Sequence, residues 1–221
     1  MFKFSQLILV LSFLFSFTTN AIVVEGTVAS IHDGDTLRMV VPGMTKEVRV
    51  RFMGIDTPEI DFKGFSQGDI SFEARDYLKQ LLPIGATIQV DTGDQLTDKN
   101  NRLLGTIYYD GININRELLR SGLAAMYFIA PYEKDIVAEY VQVAKEAYLA
   151  KRGMFQYEKN EVELPYQFRM RVQGFIGTNI VGNYETKKLY SPEDIEKVPP
   201  YARVFFKYEE MAFQRGFKWR D

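Results

Sequence analysis

Residues 48–59 read VRVRFMGIDTPE, and within them Arg51, Asp56 and Glu59 fall where an alternating strand pattern breaks into a turn. Further charged groups stand in two other places. Asp33 and Asp35 flank Gly34 in the turn IHDGDT, and Lys99 and Arg102 lie in DKNNR ahead of a later strand. Carboxylates gathered at one point repel each other unless a positive group joins them. Oxygen donors of this kind suit a hard dication such as Ca2+ better than Zn2+. Arginines beside such a cation would bind a phosphate, because each planar fork engages two oxygens and stays protonated at any working pH. Glu59 would then be left to take a proton from water. A cation on a nonbridging oxygen, guanidinium on the developing charge and a base for the nucleophile are the parts that phosphodiester hydrolysis requires. Each residue also has a plain structural reading. Asp35 is an ordinary turn residue, Thr57-Pro58 a strand stop, Arg51 part of a solvated barrel face, and Arg102 a surface charge.

The elements that must position these groups are short. IVVEGTVASIH (22–32), TLRMVV (36–41) and EVRVRFMGI (47–55) read as three strands joined by the turns Asp33-Gly34-Asp35 and Pro42-Gly43. In the third strand Val48, Val50 and Phe52 share one face, while Arg49, Arg51 and Met53 share the other. The stretch IDFKGFSQGD reads as a loop long enough to be suspected of function. FEARDYLKQLL follows at helical spacing, with Asp69 or Ser71 as candidate caps. ATIQVD (86–91) and LLGTIYYD (103–110) are a fourth and a fifth strand. A short helix, INRELLRSG, and a longer one from about Pro131 to Arg152 complete the unit. This order predicts an OB-fold, a five-stranded β-barrel with about three helices, whose rim gathers the charged residues. EKNEVELP then reads as a linker to a small α+β extension, giving units of residues 22–157 and 158–221.

Composition narrows the chemistry further. The 221 residues include no cysteine and a single histidine, His32, which excludes disulfides, thiolate nucleophiles and Cys-based zinc sites. Residues 1–21 carry Lys3, an apolar run LILVLSFLFSF and the small residues Thr19-Asn20-Ala21, the layout of a signal peptide cleaved after Ala21. The expectation is a secreted or periplasmic monomer with no stable membrane association. Cleavage takes Lys+Arg from 27 to 26 against 29 Asp+Glu, a net of −3, so bulk charge does not favour a nucleic-acid partner.

Three segments, IHDGDTLRM, VRFMGIDTPE and TDKNNRLLGTIYYDGININRELLRSGLA, resemble the staphylococcal nuclease (thermonuclease) family in order and spacing, over about residues 23–155. The resemblance implies a Ca2+-dependent OB-fold enzyme that cleaves DNA and RNA to products ending in a 3′-phosphate. It implies Asp35 and Asp56 as calcium ligands, with Thr57 adding its backbone carbonyl. Glu59 becomes the general base, and Arg51 and Arg102 the residues that stabilise the scissile phosphate. Asp33 stands behind the ligands, Lys99 makes a further phosphate contact, and Tyr127 and Phe128 border the nucleotide. Two positions depart from the family pattern, Asn100 and Ala130 standing where tyrosines are expected. The rival expectation is an OB-fold module that binds nucleic acid or protein with little turnover. Beyond residue 175, IGTNIVGNYETKKLYSPEDIEKVPPYARVFFKYEEMAFQRGFKW is similar to the metal-binding module of Ada-type proteins. That module holds zinc through cysteines. Here Tyr190, Phe205, Phe206, Phe213, Phe217 and Trp219 are expected to hold the unit instead.

Overall fold

The computed structural model describes residues 22–93, 95–157, 162–175 and 177–220. The expected signal peptide lies outside them. Strands β1 (Val23–Ile31), β2 (Thr36–Val40) and β3 (Val48–Phe52) form an antiparallel meander. A two-residue strand β4 (Ile55–Asp56) and helix α1 (Asp69–Leu81) lead to β5 (Thr87–Asp91), which returns beside β1, and to β6 (Leu103–Tyr109) beside β5. β6 then pairs in parallel with β3, with Val50 opposite Leu103 and Arg51 opposite Leu104. That last ladder closes five strands into the expected barrel. Val28, Leu37, Met39, Val50, Phe52, Ile88, Val90 and Ile107 fill it, because alternate residues of every strand point inward.

A short strand β7 (Ile112–Asn113) runs into α2 (Ile114–Arg120), whose first turn is capped by Asn113 accepting from the Arg116 N–H at 3.0 Å. Strand β8 (Ala125–Met126) pairs with β4, β9 (Phe128–Ile129) follows, and α3 (Lys134–Leu149) closes the unit. The long helix starts at Lys134 and not at Pro131, so the proline lies ahead of its first turn. α1 starts at Asp69, and Ser71 is inside it, donating its hydroxyl to the Gly68 carbonyl at 2.6 Å. One side chain ties these pieces together. Buried Asn115 accepts from the Ile107 N–H at 3.0 Å and donates to the Met53 carbonyl at 2.9 Å, joining α2 to β6 and to the end of β3.

The remaining residues build a second sheet. YQFRMRVQ forms helix α4 (Pro165–Gln173), with Pro165 in its first turn and Gly174 ending it in the left-handed region. Strands β10 (Ile180–Asn183), β11 (Lys188–Tyr190) and β12 (Arg203–Phe206), helix α5 (Glu209–Phe213) and strand β13 (Lys218–Trp219) follow. The strand order is β13-β11-β10-β12-β9. The last member belongs to the first unit, so the sheet crosses the expected boundary. One hydrophobic cluster also runs across it, joining Leu189, Val204, Phe206 and Phe217 to the core around Phe128 and Tyr140. Phe205, Phe206 and Phe217 are buried as expected, but Phe213 and Trp219 are exposed. Buried Arg203 replaces them as an organiser, donating to the Val198 carbonyl at 2.7 Å and to the Tyr166 hydroxyl.

Two measurements test this frame. Asn115→Ala orphans the buried Ile107 N–H and the Met53 carbonyl, at about 1–3 kcal/mol for each unsatisfied group, and urea denaturation should show a loss of that order. A chain ended after Tyr157 should keep a folded barrel by far-UV circular dichroism. It uncovers one side of Phe128 and Ile129, and its Tm should fall by more than about 5 °C, the range that one or two kcal/mol produces. An unchanged Tm would make the shared sheet energetically idle.

Candidate active site

The end of β3 and the turn after Ile31 meet at one edge of the barrel. Asp35 and Asp56 are almost fully buried there, at 2% and 0% exposure, which carboxylates accept only when paired. Arg51 supplies the pairing. Its guanidinium contacts the Asp35 carboxylate, and its Nη2 donates to Asp56 Oδ1 at 2.7 Å and to the Ile55 carbonyl at 3.0 Å. The second Asp35 oxygen accepts from the Thr57 N–H at 2.7 Å, fixing the turn after β4 against the turn before β2. Asp33 Oδ1 accepts from the Asp35 N–H at 3.1 Å and so shapes the acidic turn from behind.

Glu59 stands at the edge of this cluster, half-buried. Burial pushes its carboxyl up, the Arg169 guanidinium pulls it down, and neighbouring Asp56 pushes it up again, with a net raised pKa. Asp33 is likewise raised, chiefly by burial, against the opposing pull of Arg51. Gln67 fixes the Glu59 backbone. Its side-chain oxygen accepts from the Glu59 N–H at 2.9 Å, and its own N–H donates to the Glu59 carbonyl at 2.9 Å. The glutamine amide nitrogen also donates to the Glu163 carbonyl at 2.8 Å. The loop suspected of function thus links the Glu59 turn to the C-terminal unit.

Sequence reasoning missed a second arginine. Arg169, on α4, grips Asp56 with both arms, Nη2 to Oδ2 at 2.7 Å and Nη1 to Oδ1 at 2.8 Å. Its Nη1 also reaches Glu59 Oε1 at 2.5 Å. Its guanidinium lies 5.6 Å from the Tyr127 ring centre, and these carboxylates raise its pKa further despite its burial. The only sequence signal was an arginine between Phe168 and Met170, in a segment with no distinct pattern.

The other expected residues divide. Tyr127 reaches the cluster, but its ring is stacked on Tyr166 at 5.7 Å and packed on Phe205, so it is no open platform. Burial, and then Asp56, push its phenol up. Phe128 is a correction. It is a core residue with 3% exposure, packed on Tyr132 and Tyr140, and its ring fills the space beside Gly54. A Cβ at Gly54 would lie 2.2 Å from that ring, and the glycine's φ of 75° is one that other residues rarely adopt. Lys99 is exposed. Arg102 precedes the β3–β6 ladder but turns to its own loop, contacting Asp98 Oδ2 through Nε at 2.8 Å and Nη2 at 2.7 Å. The structure therefore does not bring Arg102 onto Asp56 or Glu59, because a carboxylate four residues away captures it first. Burial raises Asp98, but hydrogen bonds from Arg102 and Asn100 outweigh it and hold its pKa low.

The donor chemistry fits a hard cation, since Asp35, Asp56 and the Thr57 backbone offer only oxygen. As the side chains stand, no group of three or more acidic or histidine residues is arranged to hold a metal among the described residues. Guanidinium groups occupy Asp35, Asp56 and Glu59 instead.

Comparison with known proteins sets this geometry in context. The profile of the staphylococcal nuclease homologue family matches residues 49–157. An uncharacterised endonuclease of Escherichia coli O157:H7 is 32% identical over 144 residues, 65% of this chain and 84% of that protein. The chain belongs to the staphylococcal nuclease family. Endonuclease YhcR of Bacillus subtilis (strain 168) is 33% identical over 208 residues, covering 89% of this chain. That likeness extends beyond the barrel, although the chain spans only 17% of the length of YhcR. Endonuclease YncB of the same strain is 33% identical over 98 residues, 44% of this chain and 45% of that protein.

The pairing of Arg51 with two buried carboxylates is directly testable. Stripping one partner from a buried pair costs about 3–5 kcal/mol. Because Arg169 still serves Asp56, Arg51→Met should cost about 2 kcal/mol or more in urea denaturation.

Proposed function

We propose that this chain is an exported Ca2+-dependent endonuclease that hydrolyses phosphodiester bonds of DNA and/or RNA. The observation that carries the reading is the convergence of Asp35 and Asp56 on Arg51, with Glu59 beside Asp56, at one edge of a barrel belonging to the nuclease family. The names of YhcR, YncB and the Escherichia coli relative as endonucleases support it.

In this reading Asp35, Asp56 and the Thr57 carbonyl would hold Ca2+, which when bound would offset charge on a nonbridging phosphate oxygen. Glu59 takes the proton of the attacking water. Its raised pKa makes it a better proton acceptor than an ordinary carboxylate, and Gln67 holds its backbone in place. Arg51 sits beside the phosphate and stabilises the charge that builds on it. Arg102 joins it on leaving Asp98, and Lys99 contacts a neighbouring phosphate. The protein acts as a monomer, secreted or periplasmic, with residues 1–21 removed. Among the described residues no helix is long and apolar enough to cross a membrane. The C-terminal unit is a relative of the Ada-type module that needs no zinc, held together by Phe205, Phe206, Phe217 and Arg203.

One observation favours a second reading. Arg169 on Glu59 and Asp98 on Arg102 would leave base and guanidinium occupied, as in a module that binds nucleic acid or protein with little turnover. Plasmid nicking with and without Ca2+ separates the two. The wild type should cut only with the cation. Glu59→Gln and Arg51→Ala should each lose about 100- to 1,000-fold in rate, the usual effect of removing one transition-state group. No cutting by the wild type, or equal cutting by the variants, would falsify the enzyme reading.

A further inference from the structure

Arg169 occupies the oxygens that the proposed cation needs. Both oxygens of Asp56 accept from its fork, and Glu59 Oε1 accepts from the same Nη1. Arg51 holds Asp35 and shares Asp56 Oδ1. A dication bound by Asp56 would sit about 2.3–2.6 Å from its oxygen. Arg169 Nη2 is already 2.7 Å from Asp56 Oδ2. Two positive groups cannot share that space without strong repulsion, so arginine and cation exclude each other.

Arg169 is not a stray surface side chain. Its helix is anchored by Tyr166 and Phe168, both buried, and the Tyr127 ring lies against its guanidinium. A second tie holds the same segment at the site, through Gln67 between the Glu163 carbonyl and the Glu59 N–H. The arginine side chain keeps 18% exposure, so the pair stands at the solvent edge of the site and not in the sealed core.

We propose that Arg169 is a built-in competitor of the divalent cation. In the resting protein it pairs with Asp56 and Glu59, and a cation loads only by displacing it. The C-terminal unit thereby sets the cation concentration at which the site fills. This rests on the reading of Asp35, Asp56 and Thr57 as the cation's ligands.

The test uses the full chain and reads binding itself. Ca2+ is titrated by calorimetry into the wild type, Arg169→Gln, Arg169→Lys and the double variant Arg169→Gln/Asp35→Asn. Tm is measured for each in chelator and in Ca2+. Arg169→Gln should bind Ca2+ about tenfold tighter or more, the scale on which one charge within about 4–6 Å moves a neighbouring equilibrium. It should also melt lower than the wild type in chelator and gain more from Ca2+. Arg169→Lys, which keeps the charge but loses the fork, should fall between. The double variant should lose the gain. Equal or weaker binding by Arg169→Gln overturns the competition and leaves the cation reading intact, whereas a gain that survives Asp35→Asn puts the cation away from Asp35 and overturns both. The absence of both binding heat and a Ca2+-dependent Tm shift in the wild type and every variant also overturns both.

Discussion

Asp35 and Asp56 have almost no contact with water, and the way their charge is met governs the rest of this edge of the barrel. A buried carboxylate without a partner costs several kcal/mol or gives up its charge. Here Arg51 joins both, and the Thr57 N–H takes the remaining Asp35 oxygen. Those contacts pin two turns far apart in the chain to the same strand. The turn at residues 33–35 and the turn at 57–59 are therefore held by charge as much as by backbone geometry.

Around that constraint the fold arranges apolar and amide supports. Gly54 lets the chain turn sharply between β3 and β4, and the Phe128 ring takes the place that any side chain there would occupy. Asn115 also holds the Met53 carbonyl, so the turn that delivers Asp56 is fixed by a hydrogen bond as well as by packing. β8 pairs with β4, Asp56 opposite Ala125, and places Tyr127 beside the cluster. The next two residues pair with Val204 and Phe205. A shift of the C-terminal sheet would thus pass through only a few residues before it reached the acidic pair.

How far the sequence could be read follows from the range of each interaction. The barrel was legible, because alternation along β1, β2, β3, β5 and β6 repeats within each strand and the turn residues mark their ends. Arg51, Asp56 and Glu59 were legible as a group because they are close in sequence and interrupt that alternation. Phe128 was misread, since neighbouring residues on so short a strand point to opposite sides and only packing shows that its side is the core. Arg102 was placed by its position before β6, but spacing does not say which carboxylate a flexible guanidinium will choose, and Asp98 lies within easier reach. Arg169 was invisible for a different reason. It meets Asp56 across 113 residues, through a helix whose docking depends on the tertiary fold.

The distribution of charge reconciles an acidic protein with the polyanionic substrate proposed for it. A net charge of −2 over the whole chain describes the far field, whereas a phosphate at the barrel edge meets the groups within a few ångströms of it. There, Asp33, Asp35, Asp56 and Glu59 face Arg51 and Arg169, so the acidic groups outnumber the guanidiniums even with both arginines in place. Such a cluster repels phosphate until more positive charge arrives. A guanidinium can relieve part of the deficit but brings only one charge, and it is tethered to its own helix. A dication held by the same oxygens would bring two. On electrostatic grounds alone, substrate and cation would be expected to bind together, each offsetting the charge that would otherwise exclude the other.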